Sequence, residues 1–185
     1  MRILIAEVDP RSASVLRKTL TAANHEVTLV ADGDVAWTLF CDNPFPLVIA
    51  DWALPNIDGS QLCRKIRDGF GQQYTYFILL SSRADSAKSL AGLQSGADDL
   101  LTRPLKAGEL LAHIGIAERI LNMQDTLHQL NTRLQHQNQE LGDTIYWLES
   151  ANHRFSELFS GLPAACYSYD DQGRIFEWNR AAEEM

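Results

Sequence analysis

The pattern of apolar and polar residues along the chain predicts five strands that alternate with helices. Short apolar runs without a helical period, of which residues 46–50 are the clearest, indicate strands buried on both faces. The predicted strands cover residues 2–7, 26–30, 46–51, 75–80 and 99–102. The predicted helices cover residues 11–23, 33–42, 59–69 and 86–95, and a last helix begins near Lys106. Five repeated βα units favour an α/β fold, with a doubly wound parallel sheet and right-handed crossovers.

A second pattern begins in the last helix, where apolar residues recur at alternating steps of three and four over residues 116–158. This is the heptad pattern of a coiled coil. The a positions hold Ile120, Leu127, Leu134, Leu141, Leu148 and Phe155. The d positions hold Met123, Leu130, Gln137, Thr144, Ala151 and Leu158. The alternative is an amphipathic helix that packs on its own domain, but the helix would extend more than ~50 Å, too long for a small domain.

The heptads predict a dimer, although leucine at most a positions leaves a higher order open. Parallel chains are expected because only then can the domain at one end of the helix be coupled in both chains to the segment at the other end. The polar d residues Gln137 and Thr144 weaken the middle of the seam. The heptad pattern ends at Ser160-Gly161-Leu162-Pro163. Beyond it, residues 165–169 and 174–178 are predicted to form two strands joined by a turn, and Asn179 is suited to cap a short helix.

Composition narrows the classes of function. With 185 residues, of which 45% are hydrophobic, the chain fits one domain with an appendage. The net charge of −8 and the lack of a basic patch argue against a nucleic-acid partner. No apolar stretch is long enough for a transmembrane helix, and the N-terminus does not have the pattern of a signal peptide. The three cysteines have neither disulfide nor metal spacing, which is typical of a cytoplasmic protein.

Chemically competent side chains follow four of the predicted strands. Asp51 ends the third strand, Glu7 and Asp9 follow the first, Ser81 follows the fourth and Arg103 follows the fifth. Because parallel strands present their carboxyl ends at one edge, these side chains are expected to converge there. Each residue taken alone has a simpler explanation as a turn or cap residue. The simpler role for Arg103 is a surface ion pair with Asp98 or Asp99.

Taken together, the motifs resemble the receiver domain of bacterial two-component response regulators. The matching segments are ILIAE at the N-terminus, DWALPNIDG from Asp51, LLSSR from Leu79 and GADDLLTRP from Gly96. The resemblance covers about residues 1–119. It implies a flavodoxin-like fold with strand order 2-1-3-4-5 and an acidic cluster where the order reverses between strands one and three.

The resemblance also implies the chemistry of the site. Asp51 would accept a phosphoryl group from a sensor histidine kinase or a phosphotransfer protein. Ser81 and Arg103 would contact the phosphoryl oxygens. Mg²⁺ would be held by Glu7, by Asp51 and by the backbone carbonyl of Ala53, with Asp9 as a further candidate ligand.

Two positions depart from the family pattern, and both lie in the predicted site. The second acid that usually ends strand one is replaced by Val8, so we expect weak binding of Mg²⁺. Arg103 stands where the family usually has lysine, and its planar guanidinium differs in reach and geometry from a compact ammonium group.

Residues 159–185 resemble the opening of a PAS sensor domain, including its first hairpin and the run WNRAAEE. The sequence therefore predicts a signalling input module that is not itself an enzyme: a receiver, a helix over 116–158 and an incomplete PAS segment. The alternative is a pseudo-receiver that serves as a dimerisation or docking scaffold without phosphorylation. Phosphatase chemistry with an Asp-x-Asp nucleophile is disfavoured because residue 53 is alanine.

Overall fold

Five parallel strands form a central sheet in the computed structural model, which describes residues 1–69, 74–81 and 94–184. The strands of this sheet are β1 (Arg2–Ala6), β2 (Glu26–Val30), β3 (Leu47–Asp51), β4 (Tyr76–Ser81) and β5 (Asp99–Thr102). Their order is β2-β1-β3-β4-β5, which confirms the expected flavodoxin-like, doubly wound α/β fold.

Within the described residues four helices accompany the sheet, and their bounds agree closely with the predicted ones. They are α1 (Pro10–Ala22), α2 (Gly33–Asp42), α3 (Gly59–Gly69) and α4 (Ala107–Gly161). The first helix begins one residue earlier than predicted, because Asp9 caps it and proline is well suited to the first helical position. The helix predicted over residues 86–95 lies largely outside the described residues.

The strands are buried on both faces, as their continuous apolar runs predict. On one face, alternate residues such as Leu4, Val48 and Phe77 pack against α2 and α3. On the other face, the intervening residues such as Ile5 and Ile49 pack against α1 and the first turns of α4. The α4 residues in this second core are Leu110, Ile114, Ala117 and Leu121. The start of the long helix is therefore part of the domain core.

Contacts divide the chain into two units, Met1–Leu127 and His128–Met185. In the second unit, β6 (Tyr167–Tyr169) pairs antiparallel with β7 (Ile175–Trp178), and α5 (Arg180–Glu183) follows. The predicted hairpin is present, although both strands are shorter than expected. Asp170 organises the turn, since its carboxylate accepts hydrogen bonds from the backbone N–H groups of Gln172 and Arg174.

Asn179 joins the end of the long helix to this hairpin. Its side chain is fully buried, and its amide donates to the carbonyl oxygens of Leu162 and Ala164. Its side-chain oxygen accepts from the backbone N–H groups of Cys166 and Ala182, so the predicted cap of α5 is confirmed. Across the described part of the chain, no helix combines the length and apolar character needed to cross a membrane.

Gly59 provides a test of the packing that positions the loop after β3. An added Cβ at Gly59 would lie 2.3 Å from the carbonyl oxygen of Asp51. We expect Gly59→Ala to lower the free energy of unfolding by about 1–3 kcal/mol, because the backbone has to shift to relieve this overlap. Urea unfolding measures the effect. Gly115→Ala is the matched control: nothing lies within 4 Å of its added Cβ, and alanine in a helix should stabilise by about 0.5–1 kcal/mol. Equal effects of the two substitutions would contradict the close approach at Gly59.

Candidate functional site

The carboxyl ends of the strands are fixed by hydrogen bonds that continue the parallel ladder by one residue. The backbone N–H of Glu7 donates to the carbonyl oxygen of Val30 at 2.9 Å, and that of Trp52 donates to Leu80 at 2.9 Å. The backbone N–H of Arg103 donates to the carbonyl oxygen of Ser81 at 3.0 Å. Glu7, Asp51 and Arg103 are therefore positioned by the sheet.

The structure brings three of the predicted side chains into direct contact. The Nη2 atom of Arg103 lies 2.9 Å from Oδ2 of Asp51 and also contacts Oε2 of Glu7. One guanidinium nitrogen thus bridges two carboxylates from adjacent strands. Arg103 reaches this position from β5, past the end of β4.

Glu7 is the most buried charged group of the site, with only 2% of the residue exposed. Its second oxygen, Oε1, accepts a hydrogen bond from the backbone N–H of Asp9 at 2.9 Å. Burial raises the pKa of Glu7, and the hydrogen bonds from Asp9 and Arg103 offset this effect only in part. For Arg103, burial acts against the charged form, but the hydrogen bond and charge of Glu7 outweigh it and raise the pKa.

Asp51 lies at the end of β3 with its side chain mostly buried, and its Oδ1 accepts a weak hydrogen bond from the backbone N–H of Ala53 at 3.4 Å. Ala53 itself is exposed, so the neighbourhood of Asp51 is open to a ligand on that side. Ser81 is buried at the end of β4, where it pairs with Thr102 in the ladder. Both residues lie at the edge where the sequence predicts them.

Asp9 and Val8 occupy the turn between β1 and α1. The Asp9 carboxylate accepts hydrogen bonds from the backbone and the hydroxyl of Ser12, and from the backbone N–H of Arg11. These hydrogen bonds, chiefly the one from the Ser12 backbone, lower the pKa of Asp9. Asp9 therefore serves as a helix cap. Val8 is 45% exposed and contributes no polar atom from its side chain.

The alternative surface pairing of Arg103 with Asp98 or Asp99 is wrong. Asp98 instead pairs with Arg67 and accepts hydrogen bonds from the hydroxyl of Tyr74 and the backbone N–H of Phe77. Asp99 pairs with His113 on α4. With both acids engaged elsewhere, Arg103 is left to the site carboxylates. Sequence reasoning missed this bridge, since nothing in the spacing of Glu7, Asp51 and Arg103 distinguishes contact from proximity.

The oxygen atoms of the site match the preferences of Mg²⁺ only in part. Mg²⁺ is commonly bound by one or two carboxylates together with water or phosphate oxygens. Glu7 and Asp51 provide two such carboxylates, and Ala53, whose backbone carbonyl is the third predicted ligand, is an exposed residue two positions after Asp51. Within residues 1–69, 74–81 and 94–184, no group of three or more His, Cys, Asp or Glu side chains is arranged to hold a metal. A divalent ion would therefore rely on two carboxylates.

The receiver-like part of the chain has clear relatives among known proteins. A sequence model of the response regulator receiver domain matches residues 3–115. The chain belongs to the response regulator receiver domain family. Protein RcaC of Microchaete diplosiphon is 39% identical over 115 residues, which make up 62% of this chain and 17% of RcaC. The chain spans half or less of the length of the curated relatives it matches.

Solved structures of receiver domains resemble the same part of the chain. A putative response regulator from Chloroflexus aurantiacus has a TM-score of 0.60 at 29% identity, covering 63% of this chain and 95% of that one. The receiver domain of a sensor histidine kinase from Pseudomonas aeruginosa has a TM-score of 0.58 at 30% identity, covering 65% and 97%. That receiver domain has a magnesium ion coordinated in its active-site cleft. The receiver domain predicted from the sequence is thus confirmed.

Proposed function

We propose that this receiver domain accepts a phosphoryl group on Asp51 from a cognate sensor histidine kinase or phosphotransfer protein. The observation that carries the proposal is the position of the Asp51 carboxylate, at the carboxyl edge of the sheet beside Glu7 and Arg103. An oxygen of Asp51 forms a bond to the phosphorus of a phosphohistidine while the P–N bond breaks. The imidazole nitrogen leaves with that electron pair and takes up a proton, and Asp51 becomes an acyl phosphate.

Arg103 and Ser81 are the proposed partners of the phosphoryl oxygens, since a guanidinium and a hydroxyl both donate hydrogen bonds to them. Glu7, Asp51 and the backbone carbonyl of Ala53 are the proposed ligands of Mg²⁺, and Asp9 would have to give up its capping role to join them. Bound Mg²⁺ supplies positive charge against the phosphoryl oxygens. We propose that its binding is weak because Val8 contributes no carboxylate.

The signal is proposed to leave the receiver through a dimeric coiled coil over residues 116–158 and to reach a PAS segment over 159–185. The seam residues are exposed to a degree unusual for large apolar side chains, for example 64% for Met123 and 58% for Leu134. A second copy of the chain would cover this stripe. The whole chain of 185 residues is proposed to be cytoplasmic and to have no nucleic-acid or membrane partner. It is proposed to perform no enzymatic turnover beyond its own phosphorylation.

A pseudo-receiver that acts as a scaffold without phosphorylation is the second candidate. Two observations favour it: Val8 replaces an acid at the site, and Arg103 already bridges both remaining carboxylates. In that case the fold would supply a dimerisation or docking surface, and Asp51 would serve only to anchor Arg103.

Phosphorylation of Asp51 separates these two functions. We expect incubation with a small phosphodonor and Mg²⁺ to add the mass of one phosphoryl group slowly, as seen by intact mass spectrometry. Asp51→Asn should abolish the addition, because an amide is a poor nucleophile. Asp42→Asn is a matched control, since Asp42 is exposed at the end of α2 and the site is untouched. If no donor or Mg²⁺ concentration modifies the chain, the scaffold function replaces the phosphoacceptor function.

Affinity for Mg²⁺ tests the role of position 8. We expect Val8→Asp to bind Mg²⁺ at least about tenfold more tightly than the wild type, because it adds a hard carboxylate at the acidic edge. Trp52 adjoins Asp51, so its fluorescence can follow the titration, with Trp52→Phe identifying its share of the signal. Val8→Asn is the control for polarity without charge. The same affinity in the wild type and Val8→Asp would show that position 8 does not contribute a metal ligand.

Cross-linking tests the dimer and its direction. Leu127→Cys and Leu148→Cys place thiols on the seam about 32 Å apart along the helix. In a background with Cys41 and Cys166 replaced by serine, each variant should form a disulfide with itself in a parallel dimer, whereas Thr132→Cys, off the seam, should not. The remaining Cys63 is buried, and burial raises its pKa to about 11, so it should stay unreactive. Cross-links formed only between the Leu127→Cys and Leu148→Cys chains would indicate antiparallel helices, and a monomeric mass by light scattering would refute the dimer.

A further inference from the structure

A single atom of Arg103 holds together the two carboxylates on which a divalent cation would depend. Nη2 of Arg103 contacts Oε2 of Glu7 and lies 2.9 Å from Oδ2 of Asp51. The side chain of Glu7 is fully buried and that of Asp51 is 14% exposed. Two carboxylates in such a setting repel each other unless a cation lies between them. The guanidinium provides that cation from within the chain.

The bridge engages one oxygen of each carboxylate that would hold Mg²⁺. A dication held by Glu7 and Asp51 would lie within a few ångströms of the guanidinium, and like charges at that distance repel strongly in a partly buried site. The third oxygen source on this edge is also limited, because Asp9 caps α1 and Val8 has no polar side-chain atom. Val8 therefore weakens the binding of a dication, whereas the contacts of Arg103 with Glu7 and Asp51 do not depend on position 8.

The bridge leaves part of the guanidinium unused. The Nε–H of Arg103 is buried and has no hydrogen-bond partner among the described residues. A buried donor without a partner is unfavourable, so the bridged position does not satisfy the whole guanidinium. A second position of the side chain, in which Nε gains an acceptor, would offset part of the interaction lost when the bridge opens. Phosphoryl oxygens on Asp51 would be one such acceptor.

We propose that Arg103 is an internal counter-cation that occupies the acidic pair in the resting protein and has to leave Glu7 and Asp51 before Mg²⁺ binds. This inference rests on the proposed receiver function, and it defines how the site is regulated: the guanidinium and the dication exclude each other. The two departures from the family pattern then act together: position 8 lacks a carboxylate, and the guanidinium of Arg103 neutralises Glu7 and Asp51. Mg²⁺ has to compete for the site and does not find it open.

Titrations with Mg²⁺ alone test the competition. We expect Arg103→Met, which keeps a long side chain without the charge, to bind Mg²⁺ about tenfold or more tightly than the wild type. Arg11→Met is the matched control, because it removes one positive charge from the exposed start of α1 without opening the bridge. Its affinity should stay within about twofold of the wild type, since exposed charges interact weakly. An Arg103→Met variant that binds Mg²⁺ no more tightly than the wild type would overturn the proposal.

A second measurement uses the wild-type chain and does not depend on the variant folding. The NMR signal of the Arg103 Nε–H, assigned by its absence in Arg103→Lys, should shift as Mg²⁺ is added, with the same midpoint as the fluorescence of Trp52. The change in chemical shift should be large, because the guanidinium leaves the buried carboxylate of Glu7. An unchanged Arg103 signal at saturating Mg²⁺ would show that the bridge and the metal coexist, which contradicts the proposal.

The result of the Mg²⁺ competition experiments can be distinguished from the result of the phosphorylation assay. If Asp51 gains no phosphoryl group but Mg²⁺ displaces Arg103, the phosphoacceptor function fails and the competition stands. If Asp51 is phosphorylated while Arg103→Met leaves the affinity for Mg²⁺ unchanged, the function stands and the competition fails.

Discussion

The buried charge of Glu7 is the constraint on which this edge of the sheet depends. A buried carboxylate without a partner costs several kcal/mol, so its two oxygens have to be satisfied locally. One oxygen is satisfied by the backbone N–H of Asp9 and the other by Arg103. Asp9 is available because α1 starts directly after β1, and Arg103 is available because the parallel sheet ends β1 and β5 at the same edge. The packing of the sheet and the electrostatics of the site are thus one arrangement.

Much of that arrangement could be predicted from the sequence. Buried strands have continuous apolar runs, and parallel strands end at one edge, so Glu7, Asp51, Ser81 and Arg103 could be placed together without coordinates. The partner of Arg103 could not be predicted. Asp98 and Asp99 lie close to it in the chain, and only the structure shows that Arg67 and His113 have taken them. Which of several carboxylates pairs with a guanidinium depends on the length and orientation of the side chains, and spacing along the chain does not encode these.

The long helix shows a different limit of sequence reasoning. Two apolar stripes with the same alternating steps run along it, one through Leu110, Ile114 and Ala117 and one through Met123 and Leu127. The first stripe is buried against the sheet, whereas the second is exposed. They are offset by one residue, which corresponds to about 100° around the helix axis. Because the steps are identical, the heptad pattern alone does not show where the domain core ends and an exposed seam begins.

The same helix follows β5, the strand that leads to Arg103. β5 is the edge strand of the sheet and has four residues, so its ladder with β4 is short. Arg103 follows β5 directly, and α4 begins at Ala107, with His113 contacting Asp99 at the start of the same strand. Only residues 103–106 separate the end of β5 from the start of α4. The sequence that places Arg103 in the site therefore also places Leu110, in the first turn of α4, in the core.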